Sequence, residues 1–191
     1  HILKVMEPDG ANTVTLANFI GGSLYPIVWS PNSQWIAFNY SSFSAGAPSA
    51  DVYVVDHAGS KLSSVYKGIA IGRLVFSPDG KYFTDNYSTA QQPTTTVLRD
   101  AETGKTLVEL AKADINGLQA LNWTPPATFT AIARDGKTEI YGVLWKPTNF
   151  DPEKKYPVID NSYTGPHTQV FPRNFARVLS INNQALAELG F

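Results

Sequence analysis

Residues 135–169 read DGKTEIYGVLWKPTNFDPEKKYPVIDNSYTGPHTQ and separate two differently patterned parts of the chain. The part before this stretch predicts repeated short strands, and the part after it predicts a helix. Within the stretch, β-branched and aromatic residues from Glu139 to Lys146 predict a strand, which Pro147 ends because proline has no backbone donor. Tyr156 to Tyr163 predicts a second strand, followed by Thr164-Gly165-Pro166, a triplet typical of a sharp loop.

A repeat with an offset of 47 residues precedes this stretch, since VWSPNSQWIAF begins at Val28 and VFSPDGKYF begins at Val75. In each copy Ser-Pro is followed by a turn-forming pair, Asn32-Ser33 or Asp79-Gly80, and both copies therefore predict a β-hairpin. Further strands are expected after each copy, at 51–56 and 95–99. Four-stranded units that recur at about 40 to 50 residues are typical of propeller blades.

Two blades are recognisable in this way, and residues 2–16, with the turn Pro8-Asp9-Gly10, predict part of another. A third should begin near Leu118, but its hairpin pattern fails after Pro125-Pro126. We interpret Phe129 to Ala133 instead as the strand that leaves the propeller. Because a closed ring usually needs four to eight blades, the sequence predicts a piece of a longer polypeptide.

The last part of the chain predicts a single helix from Asn174 to Gly190. Its apolar residues recur at spacings of about three and four, although Asn182-Asn183 weakens the middle. Gly190 supplies a stop, and Phe191 is expected to open a following strand. Strand, loop, helix and strand in this order is the pattern of an α/β domain.

Three motifs together resemble a known family. They are DG-x4-YG-x3-KP-x-NFDP-x-KKYPV at 135–158, Y-x-GP at 163–166 and QALAELGF at 184–191. They are similar to the entry into the catalytic domain of the prolyl oligopeptidase family of serine peptidases, in the branch of dipeptidyl peptidase IV. The resemblance implies a β-propeller that caps an α/β-hydrolase domain. The expected fold is therefore mainly β, with the last propeller blades in residues 1–128 and the start of the hydrolase domain in 129–191.

The resemblance also assigns a role to Tyr163. In the family, the Tyr of Y-x-GP donates its hydroxyl to the oxyanion of the tetrahedral intermediate, and Gly165 and Pro166 would shape the loop that aims it. From the residues alone, a tyrosine packed at a strand end is the simpler interpretation. His167 has no serine elbow nearby, and we interpret it as a surface or packing residue.

A complete catalytic set is not found in these 191 residues. No G-x-S-x-G elbow is present, and the family's Ser, Asp and His are expected beyond Phe191, so the isolated chain is predicted to be inactive. His1 and His57 lack partners at metal-ligand spacing, and no cofactor or metal is expected. The absence of cysteine excludes disulfides and thiolate catalysis.

Composition limits the partners. A net charge of −1 without a basic stripe argues against nucleic acid, and no apolar run is long enough to span a bilayer. The expected partners are short peptide substrates and the remainder of the same polypeptide. The sequence does not decide whether the protein forms a homo-oligomer. It does not decide the compartment either, although the periplasm or secretion is favoured over the cytoplasm.

Two alternatives remain. A non-catalytic propeller-type module could bind a protein through the loop from Ser41 to Ser49, although its small polar residues suit flexibility better than a binding hot spot. A family member whose triad has decayed would also fit the same residues. A serine elbow after Phe191 would separate the peptidase from the binding module.

Overall fold

The structure is a computed structural model that describes residues 1–42, 49–66, 71–162 and 170–191. Its strands are β1 (Ile2–Val5), β2 (Val14–Asn18), β3 (Ser23–Trp29), β4 (Trp35–Ser42), β5 (Ser49–Asp56), β6 (Leu62–Tyr66), β7 (Ile71–Phe76), β8 (Tyr82–Ser88), β9 (Thr95–Asp100), β10 (Thr106–Lys112), β11 (Ala127–Ile132) and β12 (Glu139–Leu144). Its helices are α1 (Asn116–Ala120), α2 (Phe175–Ser180) and α3 (Asn183–Glu188). Within the described ranges, none of the helices has the length and apolar character needed to cross a membrane.

Two four-stranded antiparallel sheets follow the sequence repeat. Sheet 1 has the order β3-β4-β5-β6, and sheet 2 contains β7, β8, β9 and β10 as consecutive neighbours. Each sheet is a meander, because every strand pairs with the strand that follows it in the chain. The mainly β fold and the predicted hairpins at 28–38 and 75–83 are confirmed, as are the strands after each hairpin and the smaller β1–β2 hairpin.

A serine at the same position of each repeat organises the turn in sheet 1 and in sheet 2. Ser30 Oγ donates to Asn32 Oδ1 at 2.7 Å and accepts from the Trp35 backbone N–H at 2.9 Å. In the second copy, Ser77 Oγ donates to Asp79 Oδ1 at 2.6 Å. Side-chain bonds of this kind fix a turn locally, so the Ser-Pro repeat specifies both hairpin turns through residues that are close in sequence.

The two repeat turns also contact each other. Asn32 Nδ2 donates to the Asp79 carbonyl oxygen at 2.9 Å. Gly80 next to it has φ of +69°, and a Cβ there would lie 2.3 Å from Asn32 Cγ. The positive φ favours glycine at this position, although Ser33 adopts a similar φ of 59° in the other turn, and the approach of Asn32 leaves little room for a Cβ.

Sheet 1 is packed on both faces. Because side chains alternate along β4, Ala37 faces sheet 2, whereas Ile36 and Phe38 face the β1–β2 hairpin. The core toward sheet 2 consists of Ala37, Val52, Leu74, Phe76, Phe83 and Ala101. The core toward the hairpin consists of Leu16, Ala17, Ile36, Phe38 and Val55.

Four residues form a buried polar seam between sheets 1 and 2: Asn39, Gly72, Asp85 and Arg99. Asn39 Nδ2 reaches across from β4 and donates to the Gly72 carbonyl oxygen at 2.8 Å. Arg99 Nε donates to Asp85 Oδ2 at 3.0 Å, and both side chains are almost completely removed from solvent. Burial raises the pKa of Asp85, while the charge and hydrogen bond of Arg99 oppose that rise.

The third repeat near Leu118 does not form a sheet. In its place is the short helix α1, in which the Leu118 and Gln119 backbone N–H groups donate to the Ile115 carbonyl oxygen at 2.9 and 3.0 Å. The strand predicted at 129–133 is present as β11, but it pairs with β12 in an antiparallel two-stranded sheet.

The strand prediction for Tyr156 to Tyr163 is wrong over residues 156–162, which do not form a strand. No described strand pairs with this segment, and Val158 is 81% exposed. A strand forms only where a neighbour completes its backbone hydrogen bonds, and the β-rich composition of the segment does not supply one.

The helix prediction for Asn174 to Gly190 is correct in position but wrong in continuity. The segment forms α2 and α3, separated at Ile181, whose ψ of 146° is extended. Asn174 caps α2, since its Oδ1 accepts from the Arg177 backbone N–H at 2.7 Å. The break lies beside Asn182-Asn183, where asparagine favours caps and turns over helix interior.

The turn between β11 and β12 is held by Asp135, and its titration can be predicted. The Asp135 carboxylate accepts from Thr138 Oγ1 at 2.6 Å, from Thr138 N at 2.9 Å and from Lys137 N at 2.9 Å. These bonds, the Thr138 hydroxyl first, stabilise the charged form and lower the pKa of Asp135 to about 2. Because this pKa lies below the ordinary aspartate value of 3.8, the stabilisation is present above pH 3.8 and is lost as the pH falls toward 2.

We expect a carbon-detected NMR titration to give that low pKa for Asp135. Thr138→Val should raise it, because the hydroxyl donor is removed, whereas Thr138→Ser should keep it low. Thr130→Val on β11 is the matched control. Equal Asp135 pKa values in the Thr138→Val variant and the unsubstituted protein would contradict the assignment.

Candidate functional site

The residues predicted to take part in catalysis fall between two described ranges. Tyr163, Gly165 and Pro166 lie within residues 163–169, outside the described residues, so their roles stay predictions, and His167, interpreted as a surface or packing residue, lies there too. Most of the loop from Ser41 to Ser49, between β4 and β5, is likewise outside the described residues. The candidate site is therefore built from the residues that hold the chain on either side of 163–169.

A small apolar cluster anchors the chain after the undescribed stretch. Phe175 and Val178 of α2 are buried against Ala90, from the loop after β8, and against Trp123. The Trp123 and Phe175 rings meet edge to face, with centroids 5.6 Å apart and an interplanar angle of 85°. The Phe175 backbone N–H also donates to Ser88 Oγ at 3.2 Å. These contacts fix the start of α2 against the end of sheet 2.

Gln184 of α3 is the centre of a polar network that we call the junction, formed by Trp123, Lys146, Thr148, Gln184 and Glu188. Trp123 Nε1 donates to Gln184 Oε1 at 3.1 Å. Gln184 Nε2 donates to the Lys146 carbonyl oxygen at 3.0 Å and to Glu188 Oε1 at 2.7 Å. One side chain therefore connects the segment after α1, the end of β12 and α3.

Glu188 completes the junction. Its Oε1 accepts from the Thr148 backbone N–H at 2.9 Å, and its Oε2 accepts from Thr148 Oγ1 at 3.0 Å. Burial raises the pKa of Glu188, but the hydrogen bonds from Gln184 and Thr148 outweigh that effect, and the pKa lies below its usual range. Glu188 is therefore ionised at neutral pH and holds the turn after Pro147 against α3.

The chain that leads to Tyr163 is tied to the same helix. Asn161 Nδ2 donates to Asn183 Oδ1 at 3.0 Å, two residues before Tyr163. On the other side, Pro172 is fully buried. The chain before residues 163–169 is thus attached to α3 through Asn161, and the chain after them is buried at Pro172 before α2 begins.

The described residues do not form a catalytic set by themselves. In the described ranges, no group of three His, Asp or Glu side chains is placed to hold a metal ion. A shallow depression beside Trp123 has no titratable lining residue; it is lined by Ile115, Gln119, Asn122, Trp123, Thr124 and Pro125. The donors and acceptors of the junction bind each other, so the chemistry available to this part of the chain is to position neighbouring segments.

Comparison with known proteins identifies what this arrangement is similar to. No family model matches the chain. Dipeptidyl peptidase 8 of mouse and of human are each 37% identical to it over 70 residues, which is 37% of this chain and 8% of either protein. Among solved structures, a Bacteroides ovatus protein described as a dipeptidyl aminopeptidase IV covers 100% of this chain with a TM-score of 0.71 and 25% identity. The chain is similar to a segment of dipeptidyl peptidase IV-like proteins.

The match covers only part of those relatives. The chain spans 27% of the Bacteroides ovatus protein, so most of a dipeptidyl peptidase IV-like protein has no counterpart in these residues. The AtxE2 isopeptidase, solved with Astexin3-dC4 bound, covers 94% of this chain at a TM-score of 0.61, and its 16% identity shows a common fold alone. The resemblance to the dipeptidyl peptidase IV branch is confirmed.

The junction of this dipeptidyl peptidase IV-like segment was not predicted from the sequence. Gln184 and Glu188 are four residues apart, and that spacing indicates a pair on one face of a helix. It does not indicate the partners, because Trp123 is 61 residues before Gln184 and Thr148 is 40 residues before Glu188. Only the folded chain brings these groups together.

Gln184→Ala tests how much the junction contributes to the free energy of unfolding. The substitution removes the acceptor of the buried Trp123 N–H and the donor to Lys146, and we expect a loss of about 1–3 kcal/mol in the free energy of unfolding. Gln119→Ala is the matched control, because Gln119 lies on the exposed side of α1. Urea unfolding followed by tryptophan fluorescence measures both. Equal midpoints for the two variants would show that the network contributes little.

Proposed function

We propose that this chain is part of a serine peptidase that hydrolyses short peptides, of the dipeptidyl peptidase or oligopeptidase type. The observation that carries the proposal is the similarity over the whole chain to a dipeptidyl aminopeptidase IV-like structure, at 25% identity. The Ser, His and Asp of the reaction would lie outside these 191 residues. Tyr163 would donate to the oxyanion, on a loop shaped by Gly165 and Pro166.

The two domains of the proposal are residues 1–128, as propeller blades, and 129–191, as the start of the hydrolase domain. The blade assignment is supported by the packing of sheets 1 and 2 face to face with matching turns. It is further supported by Ile27 and Trp29 of β3, which are 47% and 45% exposed. Their strand partners Phe38 and Ile36 belong to the core under the β1–β2 hairpin, so Ile27 and Trp29 face the same side of sheet 1. The inner strands of a preceding blade would cover Ile27 and Trp29 on that side.

The proposed role of the junction is to hold the oxyanion donor. Asn161 and Asn183 tie the chain two residues before Tyr163 to α3, and Gln184 and Glu188 tie α3 to the end of β12. An oxyanion donor is effective when it is positioned before the reaction begins. The substrates would be short peptides, because a propeller cap restricts entry.

The proposal is tested with the full-length protein. We expect it to release 4-nitroaniline from dipeptidyl 4-nitroanilides, and a serine-reactive phosphonate should abolish the activity and label one serine. The 191 residues alone should give no turnover. Mass spectrometry of the products from a longer peptide separates removal of dipeptides from internal cleavage. A full-length protein that neither hydrolyses the substrates nor reacts with the phosphonate would refute the proposal.

A further inference from the structure

Two oxygen atoms in the polar seam have no hydrogen-bond partner among the described residues: Asn39 Oδ1 and Asp85 Oδ1. Both residues are buried, at 2% and 0% exposure. Buried polar atoms in folded proteins nearly always have a partner, either from the protein or from an ordered solvent molecule. Two unpaired acceptors in the same seam therefore point to a bound donor.

The orientation of the Asn39 amide is fixed by its other atom. Asn39 Nδ2 donates to the Gly72 carbonyl oxygen at 2.8 Å, which leaves Oδ1 as an acceptor without a donor. Asn39 lies on β4 of sheet 1, and Gly72 lies on β7 of sheet 2. The unpaired oxygen is therefore held at the interface between the sheets.

Asp85 presents its unpaired oxygen to the same glycine. A Cβ placed on Gly72 would lie 2.6 Å from Asp85 Oδ1, so the carboxylate occupies the space that a side chain would fill. Its other oxygen, Oδ2, accepts from Arg99 Nε. Asn39 and Asp85 thus approach Gly72 from two sheets, each with one acceptor unused.

The Nη1 donors of Arg99 are directed elsewhere. Arg99 Nη1 donates to Thr106 Oγ1 at 2.7 Å and to the Gly104 carbonyl oxygen at 3.3 Å. A cation could satisfy two oxygens, but Asp85 and Arg99 already neutralise each other, and a further buried charge is unfavourable. The chemistry of the seam favours a small neutral ligand with two donors.

We propose that one water molecule is bound between sheets 1 and 2 and donates one hydrogen to Asn39 Oδ1 and the other to Asp85 Oδ1. Buried waters typically make two to four hydrogen bonds to polar groups that the protein leaves unpaired. This water completes the polar seam and links the two sheets through a contact that neither sheet forms alone. It also leaves the Asp85 carboxylate free to remain ionised beside Arg99.

High-resolution X-ray and neutron diffraction of the full-length protein test the proposal. We expect a solvent peak within hydrogen-bond distance of both oxygens, with one deuteron directed at each. Direct contact between Asn39 Oδ1 and Asp85 Oδ1, with a deuteron on the carboxyl group, would overturn it. An anomalous scatterer at the site, or no peak at all, would overturn it as well.

Two variants extend the test. Asn39→Leu removes one acceptor, and its structure should lack the solvent peak. Asn86→Ala is the matched control, because Asn86 lies on β8 with an exposed side chain that donates to Thr96 Oγ1. Its structure should keep the peak. If Asn39→Leu does not fold, the structure of the unsubstituted protein still decides the question.

Discussion

Arg99→Ala is expected to lower the free energy of unfolding by about 3–5 kcal/mol, because it leaves a buried carboxylate without its counter-charge. The Arg99 side chain is 6% exposed and that of Asp85 is 0% exposed, so bulk solvent does not screen the carboxylate that loses its partner. The substitution also removes the donor to Thr106 Oγ1 and to the Gly104 carbonyl oxygen. Equilibrium urea unfolding measures the loss.

The control for Arg99→Ala is an ion pair at the surface. Lys61 Nζ lies 2.5 Å from Glu102 Oε1, but the two side chains are 59% and 56% exposed, and Lys61→Ala should change the unfolding midpoint little. A double variant, Arg99→Met with Asp85→Leu, should recover most of the loss, since it removes both charges together. An Arg99→Ala variant as stable as Lys61→Ala would contradict the prediction.

The pH dependence gives a second measure of the same pair. Arg99 is the group that opposes the upward shift of the Asp85 pKa, so its removal should raise the folded-state pKa of Asp85 further. A folded pKa above the unfolded value means that the neutral acid is favoured in the folded state. The deficit of Arg99→Ala should therefore be smallest at low pH and should grow as the pH rises through the folded pKa of Asp85.

Tyr163→Phe in the full-length protein is expected to lower kcat about 100- to 1,000-fold. Loss of one preorganised oxyanion donor has an effect of this size, because the donor acts where charge develops in the transition state. KM should change little, since the hydroxyl would contact the intermediate more strongly than the bound substrate. Steady-state hydrolysis of a dipeptidyl 4-nitroanilide gives both constants.

Tyr141→Phe is the matched control for Tyr163→Phe. Tyr141 is on β12 and its hydroxyl donates to Glu139 Oε2, so its removal should leave kcat unchanged. Phosphonate labelling distinguishes failure of the peptidase proposal from failure of the role proposed for Tyr163. A labelled enzyme whose kcat is insensitive to Tyr163→Phe would keep the peptidase proposal and reject the role of Tyr163.

Local sequence determined the parts of the fold in which the interacting residues are close together in the chain. Ser30 with Asn32, and Ser77 with Asp79, set the two hairpin turns within two residues each. Asn182-Asn183 marked the weak point of the predicted helix, where the chain divides into α2 and α3. The motifs at 135–158, 163–166 and 184–191 were sufficient to indicate the family.

Tertiary structure decided the features whose partners are far apart. The segment 156–162 has a strand-like composition but no described neighbour to pair with, and α1 replaced a predicted blade near Leu118. The bond from Asn39 to Gly72 spans 33 residues, and the bond from Trp123 to Gln184 spans 61. A turn depends on side chains that are already neighbours in sequence, whereas the polar seam and the junction depend on packing that brings distant donors and acceptors together.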